Sequence, residues 1–339
     1  MSDPALSKQI ISAINKAQKG ELYFEEIFKG NENVKKNEFI FFIKPEITLK
    51  SDKIKLQEIL DLIFGKLEEF HFTIHNIKAL GAKYLKDYNI IARHYGVINK
   101  IASNASENIS ESAKEVFKTK FNKGFNDVKV SGGIEFINEF GEFTPFTLDI
   151  LWKNKQNIKL AGGTYCEDIT MDNETIYLVN GFHPRQIEHF TSEGKSIIVF
   201  TISSDIDWST ARTNFIGATN PASAHEGSIR RELLNNKEKL GLDEVSQGAN
   251  GVHLSAGPVE ALIELMRYNS NSSDKSKIKN YNSFSFGQNL EVSFSKLSIE
   301  KILENTNVNI DGKAVSIFDI TEEKNSNEAL VLLRKHFDL

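Results

Sequence analysis

The sequence contains a single cysteine, Cys166, among its 339 residues. One thiol cannot form an intramolecular disulfide, and it cannot supply the several ligands of a cysteine-based metal site. We interpret Cys166 as a small buried residue or an idle thiol, because free cysteine commonly packs as an apolar side chain. Disulfide scaffolds and zinc-ribbon sites are therefore excluded.

The chain also lacks a long apolar run and a strong charge of one sign. No apolar stretch approaches the roughly 20 residues of a membrane-spanning helix, and Met1–Gly20 is polar and amphipathic, unlike a secretory signal. The net charge is −5 with both signs interspersed, which disfavours a protein that coats nucleic acid. We expect a cytoplasmic protein with neither a membrane nor a nucleic-acid partner.

The Gly-x-x-x-x-Gly-Lys-Ser/Thr motif of a P-loop is absent, so any phosphate group must be bound differently. The irregular stretch 212–232 offers Arg212, Thr219 and Arg230 among Asn-Pro and Gly turn signals. Guanidinium groups match pairs of phosphate oxygens, and each charge-assisted bond contributes about 1.5–3 kcal/mol. A solvated loop with scattered arginines is the alternative interpretation.

His253 is the candidate nucleophile. It lies in the run Asn250–Ser255 (Asn-Gly-Val-His-Leu-Ser), and Glu264 follows on a predicted helix over 257–268 that Pro258 and Ser255 would begin and cap. An acceptor on one ring nitrogen fixes the tautomer, so that the other nitrogen presents a lone pair. The alternative is an ordinary surface or core histidine.

The N-terminal part of the chain predicts a β-α-β unit. Phe39–Ile43 is an apolar run of strand length that ends at Lys44, the residues 54–70 have helical periodicity, and a second strand follows over 72–77. A lysine at the end of a buried strand lies where α/β folds place ligand-binding groups.

Together these segments resemble nucleoside diphosphate kinase. The matching motifs occur in the family's order: Phe42–Glu46, His94-Tyr95, Gly181–Phe190, Ser192–Phe200, Arg212–Arg230, and Asn250–Ser255 with Glu264. The match covers about 38–104 and 178–268. It implies an α/β (α+β) fold with a ferredoxin-like βαββαβ core, a β-rich insertion, and N- and C-terminal extensions.

The resemblance also implies a role for each matching residue. His253 would take the γ-phosphoryl group of a nucleoside triphosphate and pass it to a diphosphate, with Glu264 orienting the imidazole and Ser255 assisting. The nucleotide-binding residues would be Lys44 and Asn250 at the ribose, Arg212 and Thr219 at the β-phosphate, Arg230 at the transferring group, Tyr95 beside the nucleophile, and Phe182 on the base. A magnesium ion would arrive with the nucleotide, and a homo-oligomer is expected.

Departures from the family leave other functions open. Leu254 replaces the glycine that follows the nucleophile and would narrow the space for an incoming phosphate, and Ala256 replaces an aspartate. The insertion either lies outside as a lid or reshapes the base pocket. The alternatives to the kinase are a nucleotide-binding sensor or regulatory protein on the same fold, and a phosphotransferase with an unusual acceptor.

The expected organisation is an N-terminal helical extension (1–36), a kinase-like core (37–104 and 178–268), an inserted β-rich subdomain (105–177) and a C-terminal α/β extension (283–339). In the N-terminal extension we predict one or two amphipathic helices before a polar linker over Gly30–Lys36. The first would carry Leu6, Ile10, Ile11 and Ile14, and the second would carry Phe24, Ile27 and Phe28. In the insertion we predict a helix at 110–121 and strands at 128–130, 134–136, 146–152 and 158–160.

Overall fold

The structure is a computed structural model that describes residues 4–30, 33–171 and 173–338. Its strands are β1 (Phe24–Lys29), β2 (Asn37–Ile43), β3 (Thr73–Gly81), β4 (Lys129–Gly132), β5 (Ile158–Ala161), β6 (Thr164–Met171), β7 (Glu174–Val179), β8 (Ser196–Ser204), β9 (Val252–Leu254), β10 (Asn307–Ile310) and β11 (Lys313–Ser316). The fold is mixed α/β with several sheets, which confirms the predicted α/β fold class.

The helices alternate irregularly with the strands. They are α1 (Pro4–Ala17), α2 (Pro45–Thr48), α3 (Leu56–Glu69), α4 (Ala82–Asp87), α5 (Ile90–His94), α6 (Gly96–Ser103), α7 (Ala105–Asn108), α8 (Glu111–Phe121), α9 (Gly133–Glu139), α10 (Pro145–Lys153), α11 (His183–Thr191), α12 (Trp208–Thr210), α13 (Ile229–Asn235), α14 (Pro258–Asn269), α15 (Ser285–Ser293), α16 (Lys296–Leu303), α17 (Ile317–Thr321) and α18 (Ser326–Leu333). Within the described ranges, no helix is long and apolar enough to cross a membrane.

The chain divides into two compact units. The major unit comprises residues 1–88 and 193–339, and the minor unit comprises residues 89–192. The minor unit therefore contains the predicted insertion, 105–177, together with flanking segments that the sequence motifs had assigned to the core.

A five-stranded sheet forms the centre of the major unit, in the order β1-β3-β8-β2-β9. Every neighbouring pair is antiparallel. Because β2 and β3 both run antiparallel to β8, they run parallel to each other with β8 between them. The helix α3 connects these two parallel strands.

Both faces of this sheet are covered, which explains the uninterrupted apolar sequence of β2. Phe41 and Ile43 belong to a core cluster that includes Ile10 and Ile14 of α1 and residues of α3. The alternating residue Phe42 faces the other side, where its ring lies 5.6 Å from that of Tyr268 on α14. The strand at 39–43 and the helices at 54–70 and 257–268 are thereby confirmed to within a few residues.

The predicted second helix of the N-terminal extension is wrong. Phe24–Lys29 is the edge strand β1, and Phe24 is paired with Leu80 of β3. The spacing of Phe24, Ile27 and Phe28 fits a helix, but pairing with the open edge of β3 satisfies the backbone groups of both segments. The extension's residues 1–3, and residues 31 and 32 of the predicted Gly30–Lys36 linker, lie outside the described residues.

The minor unit has its own four-stranded sheet, in the order β4-β7-β6-β5. The predicted helix at 110–121 is confirmed as α8, whereas the predicted strands at 134–136 and 146–152 are wrong, because α9 and α10 occupy them. The hydroxyl of Thr144 caps α10, and Pro145 follows in the first turn. Leu148 and Trp152, four residues apart, then bury one face of this helix.

The C-terminal extension consists of α15 to α18 and the β10-β11 hairpin. Buried polar contacts fix it to the strand β2. The buried carboxylate of Glu38 accepts hydrogen bonds from the backbone and hydroxyl of Ser285, at 3.1 Å each. The amide of Asn37 donates to Asn325 Oδ1 at 2.8 Å. The extension therefore belongs to the same unit as the candidate nucleophile.

Candidate active site

His253 lies on β9, the three-residue edge strand of the major sheet. It is paired with Phe42 of β2, and the two rings stack with centroids 4.4 Å apart and planes inclined by 19°. Because side chains alternate along a strand, Val252 and Leu254 point to the opposite face and are fully buried in the apolar core. The imidazole retains 16% of its side-chain surface exposed, so a ligand can reach it.

This alternation corrects the expectation for Leu254. Its side chain contributes to the core cluster beneath the sheet. The imidazole of His253 lies on the other face, so Leu254 does not narrow the space around it. The exchange of glycine for leucine therefore leaves the face of the nucleophile unchanged.

The imidazole is held by a chain of buried hydrogen bonds. His253 Nε2 lies 2.8 Å from Glu264 Oε1, and Glu264 Oε2 accepts a hydrogen bond from Ser255 Oγ at 2.6 Å. The backbone N–H of Ile40 in β2 donates to the same hydroxyl at 2.9 Å. Ser255 was predicted to cap the following helix, which is wrong, because Gly257 occupies the cap position and Ser255 secures the carboxylate instead.

This arrangement determines which ring nitrogen is reactive. A carboxylate at Nε2 favours the neutral tautomer with its proton on that nitrogen, which leaves the lone pair on Nδ1. The contact also prevents rotation of the ring and stabilises positive charge on it. This geometry is compatible with a nucleophilic role through Nδ1.

Two guanidinium groups flank the strand that carries His253. Arg230 donates from Nη2 to the carbonyl of Val252 at 3.0 Å and from Nη1 to that of Gly217 at 2.8 Å. Arg212 donates from Nη1 to the carbonyl of Leu254 at 2.9 Å. The two cations thus bind the carbonyl groups immediately before and after the nucleophile.

Lys44 is buried where β2 ends, as the sequence predicted. Its Nζ donates to Asn250 Oδ1 at 2.7 Å, and Asn250 Nδ2 donates to the carbonyl of Thr219 at 3.0 Å. Burial lowers the pKa of Lys44 to about 8, with the Glu46 carboxylate opposing the shift and the Arg230 cation adding to it. The structure therefore brings Lys44, Asn250 and Thr219 together.

A cavity of about 490 Å³ opens beside Arg212 and Thr219. Its lining consists of Arg212, Thr213, Gly217, Ala218, Thr219, Ser223, His225 and Glu323. Gly217 has φ +89°, and a Cβ there would lie 2.4 Å from Ser228 Oγ, so glycine is required at this turn. Cationic and hydroxyl side chains around a cavity of this size suit a phosphate chain.

Tyr95 and Phe182 both belong to the minor unit. Tyr95 follows α5, and its ring lies 4.6 Å from that of His94. Phe182 precedes α11, with its ring 5.9 Å from that of Trp152. The predicted roles of Tyr95 beside the nucleophile and of Phe182 at the base stay predictions.

Sequence reasoning missed several contributors to this region. Glu46 accepts a hydrogen bond from the backbone N–H of Gly251 at 2.8 Å, which secures the loop before the nucleophile. Glu260 lies one helical turn before Glu264, and its pKa is raised to about 8 by burial and by that neighbour, against the opposing charge of Arg212. The spacing of Glu260 and Glu264 by four residues was the available signal for a shared helix face.

Comparison with known proteins gave no further information, since neither a family model nor a curated protein matches this chain.

Proposed function

We propose that this protein is a phosphotransferase of the nucleoside diphosphate kinase type, which moves the γ-phosphoryl group of a nucleoside triphosphate to a diphosphate through a phosphohistidine. The observation that carries the proposal is the chain from His253 through Glu264 to Ser255. It presents Nδ1 of an accessible imidazole on a strand flanked by two guanidinium groups.

The strand order supports this proposal. Read from the opposite edge, the sheet has the order β9-β2-β8-β3, with β1 added outside. With β2, β3, β8 and β9 as the first to fourth strands, this order agrees with the one expected of a ferredoxin-like βαββαβ core. The helix α3 joins the first two strands, and α13 lies between the last two.

In the first half-reaction, the lone pair of His253 Nδ1 attacks the γ-phosphorus of the triphosphate. An N–P bond forms while the bond from the γ-phosphorus to the bridging oxygen breaks, and the diphosphate leaves with that electron pair. Glu264 accepts the hydrogen bond from Nε2 and stabilises the positive charge that develops on the ring. Arg230 and Arg212 stabilise the charge on the phosphoryl oxygens.

The second half-reaction is the reverse, with a different nucleotide. A terminal phosphate oxygen of the incoming diphosphate attacks the phosphorus on Nδ1, the N–P bond breaks, and the ring nitrogen recovers its lone pair. The same side chains serve both directions, because the entering and leaving diphosphates occupy the same positions.

A magnesium ion that arrives with the nucleotide belongs to this proposal. The cavity offers the hydroxyl groups of Thr213, Thr219 and Ser223 and the carboxylate of Glu323. These are hard oxygen donors of the kind that magnesium prefers, so the residues fit the ion. When bound, it would neutralise phosphate charge and help to orient the phosphate chain.

Incubation with γ-labelled ATP and magnesium tests the proposal. We expect acid-labile label on the protein, its loss in His253→Ala, and its transfer to GDP. His336→Ala is the matched control, because this exposed histidine near the C-terminal end does not line the cavity, and it should retain the label. Labelling without transfer to any diphosphate would indicate another acceptor, and nucleotide binding without labelling would indicate a sensor.

A further inference from the structure

Glu323 is a carboxylate in the phosphate cavity that lies outside the segments resembling the kinase family. It belongs to the turn between α17 and α18 of the C-terminal extension. Glu323 lines the cavity together with Arg212, Thr219 and His225. The C-terminal extension therefore supplies an anionic group to a cavity that is otherwise cationic and hydroxylic.

The turn that carries Glu323 is fixed against the segment that follows the nucleophile. The backbone N–H of Glu323 donates to the carbonyl of Ala256 at 2.9 Å. A Cβ at Gly257 would lie only 2.4 Å from the carbonyl oxygen of Thr321, so the two segments are in tight contact. The position of the turn that carries Glu323 therefore depends on Ala256 and Gly257, which directly follow Ser255.

The residue after this turn provides a second anchor. Asn325 Oδ1 accepts hydrogen bonds from the amide of Asn37 at 2.8 Å and from the backbone N–H of Trp208 at 3.0 Å. Glu323 itself has φ +57°, a left-handed conformation that is unfavourable for a residue with a side chain. Such conformations persist where surrounding contacts impose them, and they are enriched at ligand sites.

A carboxylate beside a phosphate chain has a specific electrostatic consequence. It repels phosphate oxygens unless a cation lies between the two, and it attracts the phosphate–metal complex, because carboxylate oxygen is a preferred ligand of divalent cations. The arginines in the same cavity attract phosphate with or without metal. The contribution of the carboxylate to nucleotide binding therefore depends on the cation, whereas that of the arginines does not.

We propose that Glu323 binds the divalent cation of the nucleotide, so that the site selects the magnesium complex over the metal-free nucleotide. This inference rests on the proposed function, since it requires a nucleotide in the cavity. It assigns to the C-terminal extension a direct part in substrate recognition.

Calorimetric titration of the full chain with ADP, once with magnesium and once with EDTA, tests the inference. In Glu323→Gln, we expect the affinity for magnesium-ADP to fall about five- to tenfold, because the attraction between the carboxylate and the cation is lost. The affinity for metal-free ADP should rise about two- to threefold, because the repulsion between the carboxylate and the phosphate oxygens is removed. Glu304→Gln is the matched control, because it removes an exposed carboxylate of the same extension that does not line the cavity, and it should change neither affinity.

The pattern across the two titrations separates the alternatives. If Glu323 only orients Arg212, then Glu323→Gln weakens binding equally with and without magnesium, and the inference fails while the proposed function stands. Unchanged affinities in both titrations also overturn it. If the unaltered chain binds no ADP under either condition, the proposed function and the inference fail together.

Discussion

Two buried lysines of the major unit have nearly the same environment and, as we interpret them, different roles. Lys44 donates to the side-chain oxygen of Asn250, and Lys78 donates to that of Asn269. Burial is the main cause that lowers the pKa of each lysine to about 8. Burial, hydrogen-bond partner and pKa therefore do not distinguish the Lys44–Asn250 pair from the Lys78–Asn269 pair.

Their places in the fold distinguish them. Lys44 follows the end of β2, and its partner Asn250 also binds the carbonyl of Thr219, which lines the cavity. Lys78 lies within β3, and the partner Asn269 also binds Thr201 of β8, beneath α14. A lowered pKa therefore marks a candidate site only where the group is also linked to a cavity, as Lys44 is through Asn250 and Thr219.

The largest expected effect is on the rate of phosphotransfer and comes from Arg230, whose positive charge helps to lower the pKa of Lys44. Arg230→Ala removes a cation that would stabilise the transferring group, so phosphotransfer should slow about 10²- to 10³-fold. Arg231→Ala is the control, because the neighbouring side chain pairs with Glu226 on the surface. A rate for Arg230→Ala equal to that of the control would exclude Arg230 from the reaction.

The helix α14 contributes one residue to each buried cluster, Glu264 to that of the nucleophile and Asn269 to that of Lys78. Glu264→Gln should slow transfer about 10- to 100-fold, the scale seen when a group that orients a histidine is lost. Asn269→Ala should lower the free energy of unfolding by about 1–3 kcal/mol and leave the rate per folded molecule unchanged. Steady-state kinetics would measure the transfer rates, and denaturant titration would measure the free energies of unfolding. A slower rate in Asn269→Ala would contradict the proposed difference between the two clusters.

The next largest effect is on ADP affinity, and it is expected when the two lysines are compared directly. Lys44→Met should weaken ADP binding about tenfold or more, because it removes a charge-assisted hydrogen bond. Lys78→Met makes the same chemical change away from the cavity, and ADP affinity should match that of the unaltered chain. Calorimetry measures both affinities, and an equal loss in the two variants would show that neither lysine contacts the nucleotide.

The smallest expected effect is a pH dependence of binding. With its pKa lowered to about 8, the amine of Lys44 is charged below that pH and neutral above it. ADP affinity should therefore fall as the pH rises from about 7 to 9.5, and this component should be absent in Lys44→Met. The same pH dependence in both proteins would assign the titration to another group.

The free energy of unfolding should change with pH in the direction opposite to that of ADP affinity. Burial of the charged amines of Lys44 and Lys78 opposes folding below pH 8, and this penalty disappears as the pH approaches the ordinary lysine pKa of 10.5. These two groups should therefore make the protein more stable toward alkaline pH, while its nucleotide binding weakens.

Much of the candidate site was predictable from local sequence. The order of side chains from Lys44 through Arg212 and Arg230 to His253 indicated a phosphate site, and the distance in sequence between His253 and Glu264 suited a strand followed by a helix. Lys44 and Asn250 are 206 positions apart, however, and no local pattern shows that they are hydrogen-bonded. Their proximity was an implication of the family resemblance alone.

The sequence by itself determined the apolar strand β2 and the amphipathic helices α3 and α14, because hydrophobic periodicity and turn residues express local burial. Only the tertiary structure decided that Phe42 stacks on His253, that Leu254 faces the core, and that Glu323 lines the cavity. These contacts depend on strand register and on the path of distant turns, which are fixed by packing across the whole unit.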